Sequence, residues 1–449
     1  MRIALISPKG PLYRHRGGIF KKSLRYAPLT LTTLAALVPA ELNAEVRIYD
    51  EGVEVIPEDL DVDLVGMTVI TGSARRSVEL AKPFRARGIP VVFGGPHVTL
   101  APEDVRAHAD VLVTGYAEET WPQLLRDLRA GTLKDHYAQG QNHSLAGMPF
   151  PKREMLKRHN YTTMNVFEAT RGCIHDCDFC VVPTAWGRKP YQKPVEDVIA
   201  DIRQMKAKKA LFIDLNLIAD RRYAKRLFEA FIPLGIQWFG LATSLVQRDV
   251  ELLDLMARSG CTGLLIGLET LDDDGLDGSR KGFNKPDRYV ELIEMLHARG
   301  ITLMGTFVFG LDSHGPEVFM ETARFCVETG IDLPRFAIVT PFPGTPLFQR
   351  LSREGRILHH NWDLYDGQHV VFKPTRLSEQ ELLEGHEEAW KYVYKRRNIV
   401  RRLAKSRLQI PLSIASNWGY RFYANNLHTH YNCDWFIGQD GAPNARANA

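Results

Sequence analysis

The stretch Ala169-Thr170-Arg171-Gly172-Cys173-Ile174-His175-Asp176-Cys177-Asp178-Phe179-Cys180 places three cysteines at C-x3-C-x2-C spacing. Iron–sulfur clusters are ordinarily held by four cysteine thiolates. Three thiolates on one short loop hold three corners of an iron–sulfur cube and leave the fourth iron open. Cys173, Cys177 and Cys180 therefore read as ligands of a 4Fe–4S cluster that meets a substrate. A structural zinc site wants four ligands, commonly a C-x2-C pair with a distant partner pair, and only His175 stands nearby. A disulfide framework belongs to small secreted domains, whereas this chain has 449 residues and six cysteines, three of them clustered. Cys261, Cys326 and Cys433 are isolated. The first two fall in apolar patterns where cysteine is a small buried residue, and without another cysteine cluster no auxiliary iron–sulfur centre is expected.

Downstream of the loop, Val195, Val198, Ile199, Ile202 and Met205 recur at helical spacing. Strand candidates follow at 210–217, 238–243, 263–268, 302–309 and 335–339, separated by helical sequence, and 164–170 makes a sixth. The cysteine spacing and this repeat resemble the radical S-adenosylmethionine (radical SAM) superfamily, whose cores are partial (β/α)6 barrels. In such barrels chemistry gathers at strand C-terminal ends. By resemblance, Phe179 and the backbone near Thr306, Thr340 and Pro341 would hold the adenine of SAM, and Glu269 would touch its ribose or methionine end. Asp214 and Asn216, at the end of the second strand, are candidates on the same ground. Taken by themselves, Glu269 also suits a helix start, and Asp214 and Asn216 suit a strand-to-helix turn.

Upstream, strand candidates at 2–6, 45–49, 64–69, 90–93 and 111–114 alternate with helical segments, which implies a parallel sheet covered on both faces. Ligands in a doubly wound domain sit where strand C-termini meet the following loops. Here those loops carry Thr71-Gly72-Ser73, Gly94-Gly95-Pro96-His97 and Gly115-Tyr116-Ala117-Glu118, and glycine permits close approach of backbone to a ligand. A five-stranded Rossmann-like domain with these turns, placed directly before a radical SAM core, resembles the B12-binding domain of the cobalamin-dependent radical SAM family. The resemblance covers most of the chain. It implies cobalamin contacts at Thr71, Gly72, Ser73, Gly94, Gly95, Gly115 and Glu118. In Tyr13-Arg14-His15-Arg16-Gly17-Gly18, His15 and Gly18 keep the spacing of the cobalt-ligating motif of other corrinoid domains, with Tyr13 in place of its acid. A ligating histidine is normally oriented by a carboxylate or carbonyl, so His15 stands either as a cobalt ligand or as part of a solvated basic loop that meets the corrin. His97 reads as a residue that stabilises its loop.

The expected organisation is α/β throughout its first two parts: a cobalamin-binding domain over 1–140, a linker over 141–163 marked by Pro149, Phe150 and Pro151, a radical SAM barrel over 164–370, and a mainly helical, aromatic-rich region over 371–449. Ser378 with Glu381 forms a capping box. The helix it opens is expected to run on through Lys391, Lys395, Arg396 and Arg397, cations that complement the dipole at a helix C-terminus. A basic amphipathic helix also suits peripheral membrane contact. The aromatics here, Trp390, Tyr392, Trp418, Tyr420, Tyr431 and Trp435 among them, read as packing or as a cap over the barrel mouth, and 442–449 reads as disordered. The formal net charge of +4 is small for this length, and no basic stripe interleaved with stacking aromatics points to nucleic acid. No apolar run reaches the ~18 residues of a membrane span. The N-terminus reads as a buried strand, not a signal peptide, and reduced thiols point to the cytoplasm.

The resemblance implies an enzyme with three cofactors: a 4Fe–4S cluster, SAM and cobalamin. One-electron reduction of SAM at the open iron yields a 5′-deoxyadenosyl radical that abstracts hydrogen, and methylcobalamin hands a methyl group to the carbon radical. A C-methyltransferase acting on an unactivated carbon is the leading expectation. The alternatives are oxidation, cyclisation or ring rearrangement with the same cofactors, and a non-enzymatic corrinoid or redox sensor. Expected partners are a small-molecule substrate, for which a polycyclic, tetrapyrrole or lipid-like molecule suits the aromatic tail, and an electron donor of flavodoxin or ferredoxin type.

Overall fold

The computed structural model describes residues 1–10, 26–57, 59–140 and 144–427. His15, Cys433, Tyr431, Trp435 and the tail at 442–449 lie outside the described residues. Strand β1 (Arg2–Ser7) is apolar on both faces, with Ile3, Ala4, Leu5 and Ile6 all buried, as a central parallel strand must be. Around it stand β2 (Glu45–Asp50), β3 (Leu64–Thr68), β4 (Val91–Gly94), β5 (Val111–Gly115) and β6 (His136–Gln139), in the order β2-β1-β3-β4-β5-β6. All neighbours pair in parallel. The period-2 alternation of strands splits the side chains between two cores. Ile3, Leu5, Leu64, Val92 and Val113 pack under Leu29, Trp121 and Leu124 on one face. Ala4, Ile6, Val65, Met67 and Phe93 pack under Ala81, Phe84 and Val98 on the other. The order reverses between β1 and β3, which makes the loops beyond these strands the place for a ligand.

The sheet therefore has six strands where five are expected. The sixth, His-Tyr-Ala-Gln, is a short edge strand with only Tyr137 buried, so it carries none of the apolar run that marks its neighbours.

The second sheet is also six-stranded and parallel. In chain order come β7 (Val166–Phe167), a small antiparallel ribbon of β8 (Thr170–Arg171) and β9 (Tyr191–Gln192), then β10 (Lys209–Phe212), β11 (Gln237–Ala242), β12 (Cys261–Glu269), β13 (Thr302–Phe309) and β14 (Arg335–Ile338). The sheet order β14-β13-β12-β11-β10-β7 follows the sequence and leaves the barrel open between its edge strands. Its core is aromatic at one end, where Trp238 stacks on Phe228 and meets Phe212 edge-on.

The Ser378 capping box is present: Glu381 N donates to Ser378 Oγ at 3.1 Å and Ser378 N donates to Glu381 Oε2 at 2.8 Å. The helix it opens, Glu379–Val393, covers β14, with Trp390 Nε1 donating to Phe336 O at 3.1 Å and Tyr394 OH donating to Pro334 O at 2.8 Å. It ends at Val393, before the basic run. Arg396 and Arg397 open a new helix, Arg396–Ser406, where cations oppose the dipole. The expected dipole explanation holds for Lys391, in the last turn, but not for Lys395, Arg396 and Arg397, because asparagine and arginine anchors past Tyr394 turn the chain: Asn398 Nδ2 bonds Tyr392 O at 2.7 Å and Arg402 Nη2 bonds Val393 O at 3.2 Å.

The two sheets touch through loops at their C-terminal ends. Gly344, at φ 78°, lies so near Leu100 that an added Cβ would stand 3.0 Å from its carbonyl oxygen. Trp362 meets the ring of His97 at 5.6 Å.

Candidate active site

The cysteine loop leaves β8 at Gly172, whose φ of 81° and close approach to Lys189 O exclude a side chain. Its start is fixed by Asp214, which lies just past β10 and accepts the backbone N–H of Ala169 at 3.0 Å and that of Thr170. Burial, reinforced by Glu168, raises the Asp214 carboxyl to about 7. Cys173 is half-buried, Cys177 buried and Cys180 half-buried, and all three thiols are free. Asn216 Nδ2 approaches Cys173 Sγ at 3.9 Å. Asn216 Oδ1 is buried with no partner among the described residues, which fits a ligand that brings its own donor to this place.

From the other side the loop meets β12. Glu269 ends that strand at φ 70°, a conformation that costs energy outside glycine, and pairs with Lys281 in a buried ion pair. Burial pushes the Cys177 thiol up to about 12, against the pull of Lys281, and burial raises Cys180 as well. Cys177 and Cys180 thus hold their protons at neutral pH, and iron binding releases them. Asp178 N donates to Ser279 O at 3.1 Å and Leu347 N to Asp178 O at 3.0 Å, so segments after β12 and β14 clamp the middle of the loop. Phe179 is half-buried against the barrel core. The hydroxyls of Thr306 and Thr340 bond within the sheet, to Ile266 O at 3.5 Å and Ile338 O at 3.1 Å, and Pro341 is buried beside the latter.

A cavity opens at the C-terminal edge of the first sheet. Leu29, Leu34, Leu37, Met67, Val113 and Trp121 give it apolar walls, and Gly94, Gly95, Gly115 and Glu118 line it. Its floor includes Gly66, where a Cβ would crowd Leu5 at 3.1 Å and Trp121 at 3.3 Å. Thr71, Gly72 and Ser73 are buried but not on its wall. Thr71 Oγ1 is 3.3 Å from His97 Nδ1, and burial lowers His97 to about 4, so that histidine is a neutral member of the loop. The cavity's far wall is Glu168, Arg171, Gly172 and Trp186 of the second sheet's region. A deep, mainly apolar slot that opens on the cysteine loop fits a large cofactor with a planar face.

Arg171 joins the two regions. It pairs with Glu118 across the cavity wall and with Glu168 at 2.9 Å, and Lys193 approaches Glu168 at 3.5 Å. Burial works against these charges, but Arg171 and Lys193 outweigh it and hold Glu168 below the usual carboxylate range. The acids in turn raise Arg171 further. Arg171, Glu168, Lys193 and Lys281 are absent from the sequence-based candidates. Arg171 stands two residues from Cys173, which is the one signal that could have flagged it.

A doubly wound domain with a glycine-rimmed slot, facing a partial barrel whose loop presents three free cysteines, defines an enzyme that uses a corrinoid beside an iron–sulfur cluster. The chain matches the B12 binding domain over residues 23–125, the radical SAM superfamily over 167–326, and a domain of unknown function, DUF4070, over 345–439. It is 30% identical over 388 residues to the bacteriochlorophyllide d C-12(1)-methyltransferase of Chlorobaculum tepidum, covering 84% of each chain. It is 26% identical over 353 residues to the hopanoid C-2 methylase of Rhodopseudomonas palustris, covering 74% of this chain and 65% of that one. To the anaerobic magnesium-protoporphyrin IX monomethyl ester cyclase of Cereibacter sphaeroides it is 25% identical over 374 residues, 73% of this chain and 59% of the other. The fold is shared with the radical SAM methyltransferase TsrM from Kitasatospora setae, solved with cobalamin and a [4Fe-4S] cluster (TM-score 0.63, 18% identity, 79% of this chain and 78% of that one). The cobalamin-dependent radical enzyme OxsB shares it too (TM-score 0.66, 14% identity, 95% and 72%). The chain belongs to the cobalamin-dependent radical SAM methyltransferases.

Proposed function

We propose that this enzyme methylates an unactivated carbon of a polycyclic small molecule, a tetrapyrrole or a lipid-like ring system. The observation that carries the reading is the shared wall: the slot of the first sheet and the cysteine loop meet at Glu118 and Arg171. The names of the relatives that act on bacteriochlorophyllide d and on hopanoids support the substrate class. When bound, the cluster with SAM supplies a hydrogen-abstracting 5′-deoxyadenosyl radical, and methylcobalamin supplies the methyl group.

The chain's own residues bind and orient. Cys173, Cys177 and Cys180 would hold the cluster. Asp214 fixes the loop that carries them, and Asn216 offers an unused carbonyl beside Cys173. Glu269, held by Lys281, would meet the polar end of SAM, with Phe179, Thr306, Thr340 and Pro341 around the adenine. Gly94, Gly95, Gly115 and Glu118 would line the corrinoid's slot, and residues 1–140, 164–370 and 371–449 would act as its cobalamin-binding, barrel and capping parts. The electron donor is a flavodoxin or ferredoxin type protein, the compartment is the cytoplasm, and the partners include a membrane surface.

The test is anaerobic purification from cells supplied with cobalamin, followed by turnover with tetrapyrrole and polycyclic lipid substrates. Roughly one corrinoid per chain is expected, with S-adenosylhomocysteine and 5′-deoxyadenosine formed in equal amounts. 5′-Deoxyadenosine alone, with an oxidised or cyclised product, would replace methyl transfer by the chemistry that the cyclase relative's name describes. In Cys177→Ala, iron and sulfide should fall to background while the corrinoid stays.

A further inference from the structure

The first half of the helix Ile410–Asn425 is built inside out. There the face turned toward the protein is polar: Ser413 and Asn417 are buried, and Asn417 accepts from Arg402 Nη2 at 2.8 Å and donates to Asp332 O at 3.1 Å, whereas Tyr420 and Tyr423 further on pack against Trp390. The face it turns outward is apolar. Ile410, Ile414 and Trp418, one turn apart, are 50%, 49% and 52% exposed. Three of the fifteen large apolar side chains exposed among the described residues thus line one face of this helix, a clustering that marks an interaction surface and not scatter.

Charge selects the partner. From Ala389 to Leu427 the chain has nine lysines and arginines and no acid, although its net charge is only +4, so the remainder is net negative. Arg402 is spent inside on the carbonyls of Ile331 and Asp332. Arg396, Arg397, Arg401 and Arg407 are exposed, and Arg396 lies over the Trp418 ring at 5.8 Å, at the edge of the apolar face. Arg396 and Arg397 occupy a helix N-terminus, where cations oppose the dipole. An apolar face with a tryptophan, rimmed by cations and free of acids, is the chemistry of a helix that lies in the interface of an anionic bilayer. Among the described residues no helix is long and apolar enough to cross one.

We propose that the helices Arg396–Ser406 and Ile410–Asn425 form a docking surface for an anionic lipid bilayer. Ile410, Ile414 and Trp418 enter the acyl boundary, and Arg396, Arg397 and Arg401 meet lipid phosphates. This names the surface and lipid chemistry of the membrane contact in the functional reading, and rests on that contact alone, not on methyl transfer.

Flotation of the full-length protein with vesicles of phosphatidylcholine, with and without phosphatidylglycerol, tests it without turnover. Wild type should float with the phosphatidylglycerol vesicles, far less with pure phosphatidylcholine, and less as salt is raised. The double variant Ile414→Ser/Trp418→Ser, at exposed positions, should lose flotation at least tenfold while keeping iron content, corrinoid content and unfolding midpoint. Arg397→Glu/Arg401→Glu should abolish the preference for phosphatidylglycerol. Wild type left in the bottom fraction with both vesicles would overturn the proposal, as for a face already covered by other parts of the chain. Flotation unchanged in the variants would overturn it equally. So would a sedimenting dimer that Ile414→Ser/Trp418→Ser dissociates, which would assign the face to a second copy.

Discussion

Gly267 decides whether the barrel mouth keeps its buried ion pair. A Cβ there would stand 2.2 Å from Glu269 Oε1 and 2.7 Å from Lys281 Nζ. Gly267→Ala should therefore force the pair apart, and breaking a buried pair costs on the order of 3–5 kcal/mol. The expected outcome is a lower denaturation midpoint together with at least a tenfold loss of SAM binding in equilibrium dialysis. Unchanged SAM affinity would reduce Glu269 to a structural part. At this scale the sequence was legible where chemistry is written in adjacent letters: three cysteines within eight residues announce themselves. Lys281 was not, because it lies twelve residues from Glu269 and becomes its partner only when the loop after β12 folds back. Glu118 was singled out for its place after β5. Its pairing with Arg171 spans 53 positions, a distance that no local pattern encodes.

Elements were legible where burial imposes a period. All strands of the second sheet and five of the first announce themselves as apolar runs, whereas β6 does not, because an edge strand has little to bury. It nonetheless constrains the cavity. Gly115 sits at φ 74°, and a Cβ there would meet Gln139 O of β6 at 2.4 Å, so Gly115→Ala must either tear β6 from the sheet or push the loop into the slot. We expect it to lower the unfolding midpoint by several degrees, since a left-handed non-glycine residue alone costs about 1–2 kcal/mol. Purified corrinoid content should fall with it. Full corrinoid occupancy in that variant would show that the loop before Glu118 is not part of the slot's wall. The break between Val393 and Arg396 was hidden for another reason: the capping box fixes where a helix starts, but nothing local marks its end here, and the stop comes from Asn398 and Arg402 reaching back across the turn.

For the whole molecule, three buried histidines set an acid limit. Burial lowers His97, His314 and His386 each to about 4 from an ordinary 6.5, against the nearby acids Asp104 for His97 and Asp272 and Glu317 for His314. An unfolded chain binds these protons first as pH falls, so the stability present above pH 6.5 is lost progressively between about 6.5 and 4. The unfolding midpoint should fall over that window, and His386→Phe, which cannot take up a proton in either state, should flatten the dependence. The Glu118–Arg171–Glu168 bridge has a different consequence, for domain exchange. Glu118 sits on the first half and Arg171 and Glu168 on the second, so losing Arg171 would leave Glu118 buried without its cation. Exchanging the first 140 residues of this chain for another domain will therefore keep the bond across the seam only if the incoming domain also sets an acid opposite Arg171.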